Sequence, residues 1–132
     1  MATVVLADDD EAIRLTLHAC LMVDGFDVVG DAADGREALA MVEAASPDVI
    51  VLDLDMPTMD GLEALPEIRR CAPDTAVVVF SAAMVPVVQA AVESMGAWVV
   101  DKQAGVDELR RVMALAGEPG RGLFTPGADP GP

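Results

Sequence analysis

The sequence predicts a single-domain α/β fold, a doubly wound sheet of five parallel strands with helices on both faces. Three observations carry that expectation. Short apolar runs alternate with amphipathic segments five times along the chain. The third and fourth runs are unbroken aliphatic text, the mark of strands covered on both sides. Hydrophobic residues make up 53% of the chain but aromatics only 3%, so the core must be built from Val, Leu, Ala, Ile and Met. At 132 residues there is room for one well-buried core and not for two.

The elements follow in order. TVVLA (Thr3 to Ala7) reads as the first strand and ends in Asp8-Asp9-Asp10. Glu11 to Val23 carries Ile13, Leu17 and Leu21 at helical spacing. FDVVGDA, from Phe26, is the second strand. Arg36 to Ala45 is a helix with Ala38, Leu39 and Val42 on one face. Val49 to Asp53 is the third strand, followed by a loop and a helix from about Leu62 to Cys71. Pro66 inside that helix predicts a late start or a kink. AVVVF (Ala76 to Phe80) is the fourth strand, ending in Ser81. Pro86 to Met95 is the fourth helix, Trp98 to Val100 a short fifth strand, and Val106 to Ala116 the last helix. From Gly117 the text is GEPGRGLFTPGADPGP, too rich in Pro and Gly for regular structure. The expected division is a domain over 1–116 and a tail or linker over 117–132. Strands each followed by a helix call for right-handed crossovers.

The charge narrows the function. The chain has 23 acidic and 8 basic residues, a net charge of −15. Nucleic acid and anionic lipid are repelled by such a surface, so DNA binding by this chain alone is not expected. No run approaches a membrane span and no basic-then-apolar leader opens the chain, so the cytoplasm is the expected compartment. Cys20 and Cys71 lack metal-ligand spacing and are expected to be reduced and partly buried; His18, in an apolar helix pattern, is expected to be structural.

The carboxyl ends of the strands are where polar residues collect. The first strand ends in Asp8 and Asp9, the third in Asp53, the fourth in Ser81, and the fifth near Lys102. Ligands of open parallel sheets bind beyond these ends, where strand order reverses. With the first strand central and the third beside it, all five residues share one crevice. Three crowded carboxylates do not all stay ionised cheaply without a cation, and oxygen-only ligands suit Mg²⁺. A carboxylate beside Mg²⁺ and a lysine suits phosphoryl chemistry, with the carboxylate as nucleophile and Ser81 as a hydroxyl donor. Lys102 is the only lysine; the other seven basic residues are arginines. Each signal alone has a blander reading: Asp8-Asp9 and Ser81 as helix caps, Lys102 as a surface residue, Asp60-Gly61 as turn chemistry. Their joint placement carries the functional reading.

At this point the sequence resembles the receiver domain of two-component response regulators. ADDDEAIR (Ala7 to Arg14), DLDMPTMDG (Asp53 to Gly61), FSA (Phe80 to Ala82) and the Lys102 region match the motifs in order and spacing, over roughly residues 3 to 116. VVGDAADGREAL and KQAGVDEL resemble the NarL/FixJ-type branch, whose members usually carry a DNA-binding helix-turn-helix domain further along. The resemblance implies a flavodoxin- or CheY-like sheet in the order 2-1-3-4-5. It implies Asp53 as phosphoacceptor, Asp8, Asp9, Asp53 and the backbone carbonyl of Asp55 as Mg²⁺ ligands, Ser81 as switch hydroxyl and Lys102 as partner of the phosphoryl group. The implied donor is a phosphohistidine on a sensor histidine kinase. The implied output is a changed binding surface on the fourth helix, fifth strand and fifth helix, for a homodimer or an effector. Such a domain is not an enzyme beyond its own aspartyl phosphorylation and dephosphorylation. Asp55 and Ala83 hold positions that tune phosphoryl lifetime in the family.

Three departures stand out. The family's aromatic switch position, three before the lysine, is Val99, with Trp98 one earlier and the Gly96–Lys102 segment one residue short. Either Trp98 takes the switch role in a shifted register or the aromatic switch is missing. Gln103 replaces a frequent proline, and the text ends without an effector domain, as expected either of a stand-alone receiver or of a chain that stops in a linker. Met84, Val85, Val87, Val88, Val92 and Met95 give the fourth helix region more apolar surface than one buried stripe needs, so it is either a partner face or deeply buried. Two other readings remain. One is a receiver-like interaction module that works without phosphorylation. The other starts from Asp53-Leu54-Asp55, which resembles the DxD motif of haloacid-dehalogenase-type phosphohydrolases, although that motif ends a first strand and here a paired-acid strand precedes it.

Overall fold

In the computed structural model, the structure describes residues 1–82 and 84–118. Five strands and five helices alternate: β1 (Thr3–Ala7), α1 (Glu11–Val23), β2 (Asp27–Ala32), α2 (Gly35–Ala45), β3 (Val49–Leu52), α3 (Gly61–Cys71), β4 (Ala76–Ser81), α4 (Pro86–Ser94), β5 (Trp98–Asp101) and α5 (Val106–Ala116). A 3₁₀ turn, Lys102–Ala104, joins β5 to α5. All pairings are parallel and the order is β2-β1-β3-β4-β5. The expected architecture is therefore present. The Pro/Gly-rich segment from 119 onward and Ala83 lie outside the described residues.

Strand alternation splits the core into two layers. Val5, Ile50, Leu52, Val77 and Val79 face α2, α3 and α4, where they meet Val42, Leu65, Ile68 and Val92. Val4, Leu6, Val51, Val78 and Phe80 face α1 and α5, against Leu17, Leu21, Leu109 and Met113. β3 and β4 are buried along their whole length, which is why their sequences show no polar alternation. β2 lies at the edge and pairs with β1 through a register shift between Val4 and Val5, where Val4 faces Val28 and Val5 faces Gly30. Val29 is the extra residue of this bulge.

Element ends follow local chemistry, and some differ from expectation. Asp10, in an extended conformation, accepts from the amides of Ala12 and Ile13 and caps α1. α3 does not start late. It begins at Gly61 because Asp60 and Glu63 form a reciprocal capping box, and Pro66 is carried inside an already nucleated helix on its exposed side. α4 has Val85 at its cap position with no side-chain bond, and Pro86 in its first turn. Its apolar excess divides. Val92 is buried, Met84, Val88 and Met95 pack against the core, while Val85 and Val87 are 51% and 75% exposed. Cys71 is exposed rather than partly buried, and Cys20 is half-buried. No helix among the described residues is long and apolar enough to cross a membrane.

Candidate functional site

The site is assembled at the carboxyl ends of β1, β3, β4 and β5. The ladder continues one step past β1 and β3: the Asp8 amide donates to Ala32 O and the Asp53 amide to Ala7 O, both at 2.9 Å. These bonds fix both backbones before either side chain is considered. Asp8 and Asp53 are each only 4% exposed, whereas Asp9 and Asp55 are exposed. The carboxylate oxygens of Asp8, Asp9 and Asp53 lie within 4.8 Å of one another. Together with Asp55, Ile13 and Lys102 they line a crevice of about 350 Å³.

Asp8 is held at every polar atom. Its Oδ1 accepts from the Asp10 amide at 2.9 Å and its Oδ2 from Lys102 Nζ at 2.8 Å, while Arg14 Nη1 donates to its carbonyl. Asp53 Oδ2 accepts from Lys102 Nζ at 3.2 Å and Oδ1 from the Asp55 amide at 3.2 Å. Lys102 thus bridges two buried carboxylates that would otherwise face each other uncompensated. Burial alone would lower its pKa, but its hydrogen bond to Asp8 and the charges of Asp53 and Asp8 outweigh burial and raise it above the ordinary lysine value. Its ammonium also lies 5.9 Å from the centre of the Phe80 ring.

Of the blander readings, capping falls to Asp10, which leaves Asp8 and Asp9 for the crevice. Ser81 is fully buried at the end of β4 and caps no helix. Its partner in the sheet register is Asp101, immediately before Lys102, and the residue after Ser81, Ala82, lines the crevice. Trp98 and Val99 fall on opposite faces. Trp98, 8% exposed, packs in the layer under α1 and α5. Val99 packs in the layer under α4, the face toward which Val77 and Val79 also point.

Two supports were not read from the sequence as part of the site. A Cβ on Gly61 would stand 2.3 Å from Asp53 O, and a Cβ on Gly35 2.3 Å from Met59 O. The Gly61 amide donates to Leu54 O and the Gly35 amide to Met59 O. The loop carrying Asp53, Leu54 and Asp55 is therefore clamped between two glycines, one at the start of α3 and one at the start of α2. Asp60-Gly61 is more than a turn. The available signal was the repeat itself, since Asp34-Gly35 and Asp60-Gly61 each open a helix. Arg14 was the second omission; nothing in its spacing announces a bond to the Asp8 carbonyl.

Comparison with known proteins agrees with this arrangement. The response regulator receiver domain family matches residues 4–114. The signal receiver domain of NarL from Mycobacterium tuberculosis is 31% identical and superposes with a TM-score of 0.79, covering 86% of this chain and 93% of that one. CheY in the CheX–CheY–BeF3–Mg²⁺ complex of Borrelia burgdorferi is 26% identical at a TM-score of 0.81, covering 89% and 90%. The transcriptional regulatory protein PdtaR of Mycobacterium tuberculosis is 39% identical over 54 residues, 41% of this chain and 26% of that protein. The chain thus matches about a quarter of the length of such curated relatives. With its β2-β1-β3-β4-β5 sheet, its acidic crevice and a match spanning almost the whole described region, the chain belongs to the response regulator receiver domain family.

Proposed function

We propose that Asp53 accepts a phosphoryl group in a Mg²⁺-dependent reaction, with a phosphohistidine of a sensor kinase as donor. The observation that carries this reading is the convergence of Asp53, Asp8, Asp9 and Lys102 in one crevice at the carboxyl end of the sheet. One carboxylate oxygen of Asp53 attacks phosphorus. The new O–P bond forms as the donor's bond to phosphorus breaks, and the donor leaves with the electron pair. Lys102, already within hydrogen-bond reach of Asp53, moves its contact to the incoming phosphoryl oxygens, and the Asp55 amide holds the spectator oxygen.

The residues fit a magnesium ion: hard oxygen donors, three carboxylates within 4.8 Å, and an exposed side at Asp9 that leaves room for water. Asp8, Asp9, Asp53 and the Asp55 carbonyl would hold it. When bound, Mg²⁺ offsets the charge of the phosphoryl oxygens and of the acidic cluster. The CheY of the Borrelia burgdorferi complex is one relative solved with magnesium and a fluoroberyllate.

Ser81 then serves as the switch hydroxyl, and Val99, in the layer that faces α4 where Trp98 is not, takes the switch position, so the switch works without an aromatic. The responding surface comprises α4, β5 and α5, where Val85 and Val87 offer apolar contacts to an effector or a second copy. The phosphohydrolase reading is set aside: Asp55 meets Asp53 through its amide while its side chain is exposed, and Asp53 follows the third strand, not the first.

Intact mass after incubation with acetyl phosphate and Mg²⁺ tests the proposal. One phosphoryl adduct is expected, absent without Mg²⁺ and absent in Asp53→Asn. No adduct despite measurable Mg²⁺ binding would move the function to a phosphorylation-independent module.

A further inference from the structure

The acidic crevice has an apolar neighbour. A second pocket of about 280 Å³ opens between α1 and the start of α5, lined by Ala12, Ile13, Thr16, Phe80, Lys102 and Val106. Ile13 and Lys102 line both cavities. The two are therefore neighbours, a charged end at Asp53 and a hydrocarbon end over Phe80, with Ile13 and Lys102 between them. Lys102 lines both, with its ammonium on the carboxylates and 5.9 Å from the centre of the Phe80 ring. Ala12 and Thr16 are exposed at the mouth, so the pocket is reachable from solvent.

We propose that this pocket is an acyl subsite, and that small acyl phosphates with chains longer than acetyl are the preferred low-molecular-weight donors to Asp53. The proposal rests on the phosphoacceptor role of Asp53. In the step, an Asp53 oxygen bonds to phosphorus and the bond from phosphorus to the acyl oxygen breaks. The leaving carboxylate keeps the electron pair; no proton and no redox partner is needed. A chain carried past Ile13 enters the apolar end while the phosphoryl group sits at the charged end. With a net charge of −15, the protein repels a small anion from most of its surface. Hydrocarbon contact is then the affinity that distinguishes one acyl phosphate from another. Burying the two further methylenes of a butyryl group is worth about tenfold.

The test compares initial rates of adduct formation from acetyl phosphate and butyryl phosphate, read by intact mass at equal subsaturating concentrations and saturating Mg²⁺. Acetate and butyrate are leaving groups of nearly equal basicity, so the chemistry is matched. The expected result is a butyryl rate about tenfold higher, arising from a lower half-saturating concentration and not from the maximal rate. Thr16→Phe and, independently, Ala12→Phe fill the pocket from exposed positions and bring the ratio toward one. Equal rates in the wild-type protein, or a ratio unchanged by both variants, overturn the subsite and leave the pocket to a side chain of a protein donor. No adduct from either donor overturns the subsite together with the phosphoacceptor reading, whereas an adduct formed at equal rates overturns the subsite alone.

Discussion

The two helices that follow the site strands begin in opposite ways. α3, which follows Asp53, starts with a reciprocal capping box and a glycine pressed against the Asp53 carbonyl. α4, which follows Ser81, starts at a valine with no side-chain cap and leaves Val85 and Val87 in solvent. The first arrangement fixes the carboxylate proposed as nucleophile; the second leaves a helix start with no side-chain cap to break. A switch needs both. On the proposed function, a phosphoryl group added at Asp53 would bias the start of α4 against no side-chain cap.

The largest test of that contrast is Gly61→Ala. Its Cβ would meet backbone atoms of Asp53 and Leu54 at 2.3 and 2.8 Å, with no flexible side chain to yield. A loss of about 3 kcal/mol or more in urea unfolding is expected, with slower adduct formation at Asp53. A near-neutral result would mean that α3 is no more rigid than α4.

Next is Asp60→Ala, which removes the bond that the Asp60 carboxylate accepts from the Glu63 amide and leaves the Asp60 amide donating to Glu63. About 1.5 kcal/mol should be lost on thermal or urea unfolding, whereas an equivalent truncation at the uncapped start of α4 has no such bond to lose.

Thr58 provides a smaller test of the loop before α3. It is a β-branched residue at φ 66°, a conformation that costs energy. Thr58→Asn keeps the geometry at lower strain and should raise stability by about 1 kcal/mol. A loss instead would show that the Thr58 side chain has a role beyond its backbone. Smallest is Val85→Ser, which gives α4 the cap it lacks. A gain of about 0.5 kcal/mol is expected, less than a cap usually brings because some apolar contact is given up. If α4 looseness serves switching, hydrogen exchange at the first turn of α4 should slow in this variant and its change on phosphorylation should shrink.

Most of the fold was legible because burial on two faces writes itself into composition. β3 and β4 contain no polar residue before their last positions, and α1 and α5 carry their core residues at the expected spacing. The crevice was legible for a related reason: Asp8, Asp53 and Ser81 interrupt apolar text, where a polar residue has no packing value. What stayed hidden depends on contacts between distant backbones. Gly35 against Met59, Gly61 against Asp53 and Arg14 against the Asp8 carbonyl involve main-chain atoms, which carry no sequence signature. The face of Trp98 was hidden because parity along β5 is fixed only by its register with β4, Val78 opposite Trp98 and Val79 opposite Val99. Pro66 misled for the opposite reason, since a strong local signal was overruled by a well-capped helix start.

The bulge at Val29 has a consequence away from the site. β2 is an outer strand, and a flat outer strand is a template for uncontrolled sheet growth between molecules. Here the register breaks midway, and Asp27 and Asp31 stand exposed on either side of the break. A second copy approaching that edge meets a bent backbone flanked by carboxylates of its own sign. That edge is thereby closed to stacking, and sheet growth from one molecule to the next through β2 is disfavoured before any partner arrives.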